Sequence, residues 1–286
     1  KIDFTDTDLT TKDTPLVVGE RATFKGANVL NVTGSFTVDG AVEISKGSLS
    51  TGTAAFDAGS LEVTDATLTA SSVEVTGNST VSGGNTVTAD TFKTTQKLTL
   101  EANATLDATG SLTAGTAQLS AGTELSAKDV KVEGALTMQG SSITTNELTG
   151  DVKVDGALTM QGSSITADTL TASGDSFTLS GVNTISTKNG ATVENADVRL
   201  ADGVTLDVAA GGLAVKNNMM VNPKALLDVT GGLTVGGTLT LVSSDFNKDK
   251  PNFVVDTLKV GKELAFKGKS YSDNVYEFGT PKMTVS

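Results

Sequence analysis

Residues 129–150 read DVKVEGALTMQGSSITTNELTG, and residues 151–172 repeat them as DVKVDGALTMQGSSITADTLTA, identical at 17 of 22 positions with no gap. Within the first block the apolar residues fall at Val130 and Val132, Leu136 and Met138, then Ile143 and Leu148. A spacing of two is the strand period, in which successive side chains point to opposite faces, so Lys131 and Thr137 are expected to point outward. No stretch of the chain sustains the i, i+3, i+4, i+7 stripe of an amphipathic helix. Strands this short do not hold a sheet alone. Stacked in register on the next copy, about 4.8 Å away, they build long parallel sheets. The 22-residue unit therefore reads as one turn of a solenoid with about three faces.

Looser echoes extend the pattern: VTGSFTVDGAVEISKGSL at 32–49, LEVTDATLTASSVEVTGNSTVSG at 61–83, LTLEANATLDATGSLTAGTAQLSAGTEL at 98–125 and LLDVTGGLTVGGTLTLV at 226–242. A strict six-residue period, the mark of a left-handed hexapeptide helix, is missing. A β-sandwich needs strands of about six residues and a core drawn from about 100, and a 22-residue duplication is too short for that unit. The expected fold is all-β, a right-handed parallel β-helix with irregular terminal caps. Residues 1–25 are expected as an N-terminal cap, 26–242 as about ten rungs, and 243–286 as a C-terminal cap or assembly segment. The last segment concentrates aromatics, namely Phe246, Phe253, Phe266, Tyr271, Tyr276 and Phe278.

Composition agrees with a thin, repetitive core. Aromatics are 4% of residues, there is no Trp, and there are four prolines. A compact globule of this length draws much of its buried area from large rings, whereas stacked Val, Leu and Ile suffice for a solenoid. The chain has no Cys and no His, which removes disulfides, thiolate nucleophiles, imidazole bases and the commonest zinc ligands. The net charge is −12, and Arg21 and Arg199 are the only arginines, so no basic patch is available to neutralise phosphates and nucleic acid is excluded as a partner. The same charge disfavours anionic lipid surfaces. No run of about 18 apolar residues exists, so a soluble protein without membrane insertion is expected. The sequence opens at Lys1 without the basic, apolar and cleavage regions of a signal peptide. An export signal removed or lying upstream is the expectation.

Glycan-cleaving β-helices group carboxylates, or set an Arg or Lys base beside calcium, on one outer sheet. Here Asp39, Glu62, Asp65, Asp107 and Asp155 are spread singly, and no enzymatic activity is expected. The calcium-binding nonapeptide is absent: Gly211-Gly212 runs into Leu213-Ala214-Val215, and Gly231-Gly232 into Leu233-Thr234-Val235. The loop DFNKDKPNFVVD does place Asp245, Asn247, Asp249 and Asp256 at the first, third, fifth and twelfth positions of an EF-hand-like spacing. Those four residues are the candidate Ca²⁺ ligands, and no other cofactor is expected. Lys250 stands where the loop glycine belongs and no helices flank the loop, so a solvated polar turn is the competing reading. The cluster Asp3, Asp6, Asp8 is a poorer candidate. Thr-x-Thr pairs occur at Thr67/Thr69, Thr86/Thr88, Thr169/Thr171 and Thr238/Thr240. Their irregular spacing argues against an ice-binding array, and strand preference accounts for the threonines.

The blocks GALTMQGSSIT and LTVGGTLTLV, with Asn, Gly and Asp turns and no Cys, resemble the passenger regions of bacterial autotransporters and filamentous-haemagglutinin-like adhesins. The resemblance covers about residues 26–242 and lies in composition and repetition, with no catalytic motif. It implies secretion to the bacterial cell surface, a right-handed β-helical stalk, and roles in adhesion, aggregation or biofilm. An autotransporter ends in an outer-membrane barrel, for which the last 44 residues are too few, so an excised passenger or a free secreted subunit is implied. The expected partners are the protein itself, by self-association or end-to-end assembly, and host or bacterial surface glycans or proteins. An alternative is a filament subunit whose terminal segment adds a strand to its neighbour. A glycan-active enzyme is the third and least supported reading.

Overall fold

The computed structural model describes residues 1–6, 8–11, 14–51, 55–145, 150–243, 253–268 and 283–285. Every regular element among them is a strand, and every pairing with a stated register is parallel. The chain is a parallel β-solenoid of stacked coils. It divides into two compact units, residues 1–134 with 140–147, and residues 135–139 with 148–286.

In the first unit each coil contributes three inward-facing strand segments, and register stacks them into three columns. One column runs Ala22, Val42, Leu61, Ser79, Leu98, Ala117. A second runs Leu30, Leu49, Leu68, Val87, Leu106, Leu125. The third includes Phe36 over Phe56, and Val73, Phe92, Leu112, Val130. Nearly all of these side chains are fully enclosed. Burying a Val, Leu or Phe side chain contributes about 1.5–3 kcal/mol, so each coil is held mainly by the apolar residues it presents to the two beside it. Aromatic rings follow the same rule: Phe4 stacks on Phe24 with centroids 5.1 Å apart, and Phe36 meets Phe56 at 5.5 Å.

Residues 1–25 enter this ladder as well. Ile2–Thr5 pairs with Ala22–Lys25, Leu9–Thr11 with Leu30–Val32, and Leu16–Val18 with Phe36–Val38. Coil length is variable. Side-chain bonds that span one coil join positions separated by 21 at Asp6 and Ala27, by 19 at Asp90 and Thr109, and by 18 at Thr64 and Ser82. The variation sits in the corners. Val38 opposes Ala58, and Ala41, three positions further along, opposes Ser60, which is only two positions beyond Ala58. A residue is thus lost at the corner while the strands on either side stay in register. Tight corners exclude side chains. A Cβ on Gly40 would overlap the Glu20 carbonyl of the coil before, and one on Gly59 would lie 2.5 Å from the Asp39 carbonyl oxygen.

A different corner is closed by buried polar residues. Asn28 and Asn85 are 2% and 4% exposed, and their side-chain amides donate to the Lys25 and Ser82 carbonyls three residues back. Thr123 does the same with its hydroxyl, donating to the Ser120 carbonyl at 2.7 Å. Each side chain gives a carbonyl of its own turn a donor; the Lys25 carbonyl also accepts the Asp6 N–H of the coil before, at 3.1 Å.

The second unit repeats the scheme. Leu136, Thr137, Met138 and Gln139 oppose Leu158, Thr159, Met160 and Gln161 one for one, so the duplicated block is one coil, as its spacing predicts. Val130, Val132, Leu136, Met138 and Ile143 are all at most 1% exposed, which fixes the strand phase as read; Leu148 lies outside the described residues. Other coils depart from the length of the duplication. Val152 opposes Leu170 across a shorter step, Ile185 opposes Val208 across a slightly longer one, and Leu227 opposes Phe253 across the longest of the three. The tail contributes Phe253–Val260, Glu263–Gly268 and Met283–Val285, each in parallel register on the coil before it. Phe253 is buried, and Phe246, Tyr271, Tyr276 and Phe278 lie outside the described residues.

Candidate functional site

Of the four candidate calcium ligands, Asp245, Asn247 and Asp249 lie outside the described residues. Asp256 is on the strand Phe253–Val260, exposed, and its Oδ2 accepts the Gly231 backbone N–H at 2.7 Å. That bond ties the carboxylate to the turn of the preceding coil, where Gly231 has a φ of 105°. Among the described residues no group of three or more Asp, Glu, His or Cys side chains is arranged to hold a metal ion.

Stacking also brings together carboxylates that stand far apart in the linear sequence. Asp207 and Asp228 face each other in register on adjacent coils, within the parallel runs Thr205–Val208 and Leu226–Val229. Burial pushes the Asp228 carboxyl above its ordinary value, and the nearby Asp207 and Asp256 charges push it the same way. The signal was present as TLDV at 205–208 and LLDV at 226–229, which overlay once the coil is set slightly shorter than the duplication.

The Thr-x-Thr pairs change meaning for the same reason. Thr67 and Thr69 oppose Thr86 and Thr88, and Ser48 and Ser50 oppose Thr67 and Thr69. The pairs look irregular against the duplicated block used as a ruler, but the local coil is shorter, which brings them into line. The other two pairs are not continued: Thr169/Thr171 face Asp151/Lys153, and Thr238/Thr240 face Glu263/Ala265.

Open grooves interrupt the outward faces. In the first unit Thr37, Asp39, Asp57, Gly59, Glu74 and Thr76 surround 340 Å³. Its Glu74 carboxylate pairs with Lys93 at 2.6 Å, one coil on. In the second unit Asp197, Arg199, Asn218, Met220, Thr238 and Thr240 surround 440 Å³. There the Asp197 carboxylate accepts both the backbone N–H and the side-chain amide of Asn218, at 3.0 and 3.1 Å, and Asn218 Oδ1 accepts the Thr238 N–H at 2.9 Å.

That geometry recurs within both units. Thr64 and Ser82 share a hydroxyl bond of 3.1 Å, Thr109 donates to Asp90 at 2.8 Å, Thr169 to Asp151 at 2.6 Å, and Asn189 to Asp168 at 2.7 Å. Asn217 donates to the Asn195 carbonyl, and Asn195 to the Ser173 carbonyl. In each case donor and acceptor are separated by one coil. The polar side chains of these faces are tied along the stack rather than aimed at a common point. Among the described residues no helix is long and apolar enough to cross a membrane. No family model matches the chain, and neither a curated protein nor a solved structure matches it.

Proposed function

We propose that the chain is a non-enzymatic protein of the bacterial cell surface, secreted and adhesive, whose coils present extended polar faces for self-association, aggregation and biofilm formation. The observation that carries this reading is the coil-to-coil bonding just described. Acid-base chemistry requires groups that converge on a substrate. Asp207 and Asp228 do come together in register, whereas Thr109, Asn189, Ser173 and Glu74 each bond to the coil above or below. Such bonding stabilises a surface and leaves its faces regular. The resemblance of residues 26–242 to autotransporter passengers supports the same reading, as does the acidic, Cys-free composition.

The test is display of the chain on cells that do not settle by themselves. Settling and surface-film formation that depend on the displayed chain support the proposal. Absence of both, together with cleavage of an acidic or neutral polysaccharide that is lost on changing a single Asp, overturns it in favour of an enzyme.

A further inference from the structure

One outward face of the first unit differs from the others in carrying no charge over its central coils. Register sets Val29, Ser48, Thr67, Thr86 and Thr105 in one row. Asn31, Ser50, Thr69 and Thr88 make the row beside it, which runs on through Asp107 to Ser126, and the first row runs on to Glu124, so acids return where both rows leave the central coils. Val29 is 52% exposed, Thr67, Thr69 and Thr86 are exposed, and Ser48, Thr88 and Thr105 are half-buried. The neighbouring faces carry acids in the corresponding rows: Asp3, Glu43 and Glu62 on one, Asp57 and Glu74 on the other.

We propose that this hydroxyl face is the surface through which two copies of the chain associate. The proposal rests on the self-associating function inferred above and assigns it to one face. Two physical arguments single the face out. First, copies of a protein with net charge −12 repel each other, and the repulsion is least where the apposed surfaces carry no carboxylate. Second, a Ser or Thr hydroxyl both donates and accepts. A row of hydroxyls is therefore complementary to an identical row, as a contact between like copies requires, whereas a row of carboxylates is not. Charge returns at the rim, with Lys46 and Asp65 exposed along one side and Asp90 along the other. An uncharged centre with a charged rim is the usual anatomy of a protein interface.

The area sets the strength. Five coils about 4.8 Å apart and four residues rising about 3.3 Å each give roughly 300 Å² per copy, so roughly 600 Å² in a pair, well below the ~1,200 Å² of a stable complex. A single contact is weak, and association becomes firm where many copies are held on one surface.

The experiment is clustering of beads coated with the full chain. The face variant carries Thr67→Asp with Thr86→Asp. A control of equal added charge carries Thr91→Asp with Ser111→Asp, both exposed positions off this face. Wild-type and control beads are expected to cluster and the face variant to lose clustering at least tenfold, with unchanged far-UV circular dichroism in all three. Wild-type clustering should also rise as salt goes from about 0.01 M to 0.15 M, because screening removes the repulsion between acidic copies. Should the face variant fail to fold, Thr67→Val with Thr86→Val removes the hydroxyls at constant shape and is expected to weaken clustering in the same direction. Equal clustering of wild type and face variant overturns the assignment of the face and leaves self-association standing. Wild-type beads that never cluster overturn both. Clustering that requires an added polysaccharide places a glycan on the face and overturns the pairing of two copies.

Discussion

The strand Ser79–Ser82 contains two serines for which the structure predicts opposite responses to the same substitution. Ser79 points inward between Leu61 and Leu98, is 0% exposed, and its Oγ has no hydrogen-bond partner among the described residues. Ser82 is half-buried and shares a 3.1 Å hydroxyl bond with Thr64 on the coil before. An enclosed hydroxyl without a partner costs about 1–3 kcal/mol of desolvation that nothing offsets. Ser79→Ala removes that cost and leaves a void the size of one oxygen, worth a few tenths of a kcal/mol at ~24 cal/mol per Å³. The net expectation is stabilisation by about 1–2 kcal/mol. Ser82→Ala removes a made bond and should destabilise by about 0.5–1 kcal/mol.

Urea melts followed by far-UV circular dichroism give both signs, with an unchanged slope as the check that the unfolding reaction is the same. Stability in stacked repeats is the sum of local terms, so amide exchange at Leu61, Val81 and Leu98 should report the change more directly than the global midpoint. Destabilisation by Ser79→Ala of more than about 1 kcal/mol would show that the hydroxyl is satisfied in solution, and would refute the reasoning.

The strand phase predicts that Leu158→Asp, at a position 0% exposed between Leu136 and Phe177, destabilises the second unit severely, by more than about 4 kcal/mol. Lys153→Gln, at a residue whose exposed ammonium sits 3.1 Å from Asp155, should change stability by less than about 1 kcal/mol; similar melts for the two variants would mean the phase is wrong. Because the folded Asp228 carboxyl lies above its ordinary 3.8, the folded state holds that proton more tightly than the unfolded chain does. Its unfavourable contribution is therefore fully present above the folded pKa and is relieved as pH falls through it. Asp228→Asn should raise the melting temperature at pH 7 by an amount worth less than about 1 kcal/mol, given its solvent exposure. The gain should vanish in acid, and a gain that persists unchanged there would refute the assignment.

The fold was legible in the sequence to the extent that it is written in strand phase. A period of two is short and local, so one good block suffices to establish it: Val130, Val132, Leu136 and Met138 fall inward as the alternation requires. Coil length was less legible. The duplication measures one coil, that from Leu136 to Leu158, yet shorter steps such as Leu61 to Ser79 and Val87 to Leu106 prevail in the first unit. The ladder demands register only along the strands, and a corner can gain or lose a residue, as between Val38 and Ala41, without disturbing either flank. A fixed ruler misplaces whatever depends on it, which explains the apparent irregularity of the Thr-x-Thr pairs and the apparent separation of Asp207 from Asp228. A clue to the shorter step was present in the rings, since Phe4 and Phe24 stand at the same interval as Phe36 and Phe56, shorter than the duplication.

The same elasticity determines where function can reside in such a chain. Inward positions are constrained by their neighbours on two coils, and corner positions such as Asn28, Asn85 and Thr123 by the carbonyls they satisfy. Outward positions on the strands answer to neither demand, and stacking sums them into rows about 4.8 Å apart. A row is therefore the smallest unit of surface chemistry here, and its successive members lie a whole coil apart in sequence. No contiguous motif can encode it. Three rows of one unit can differ in charge while the repeat that builds them stays uniform. The row from Ser48 through Thr67 and Thr86 to Thr105 is neutral, and the row holding Glu43 and Glu62 is acidic, although both are carried by the same coils. A substitution that alters one row without touching the core should change what the surface meets and leave the melting behaviour almost unmoved.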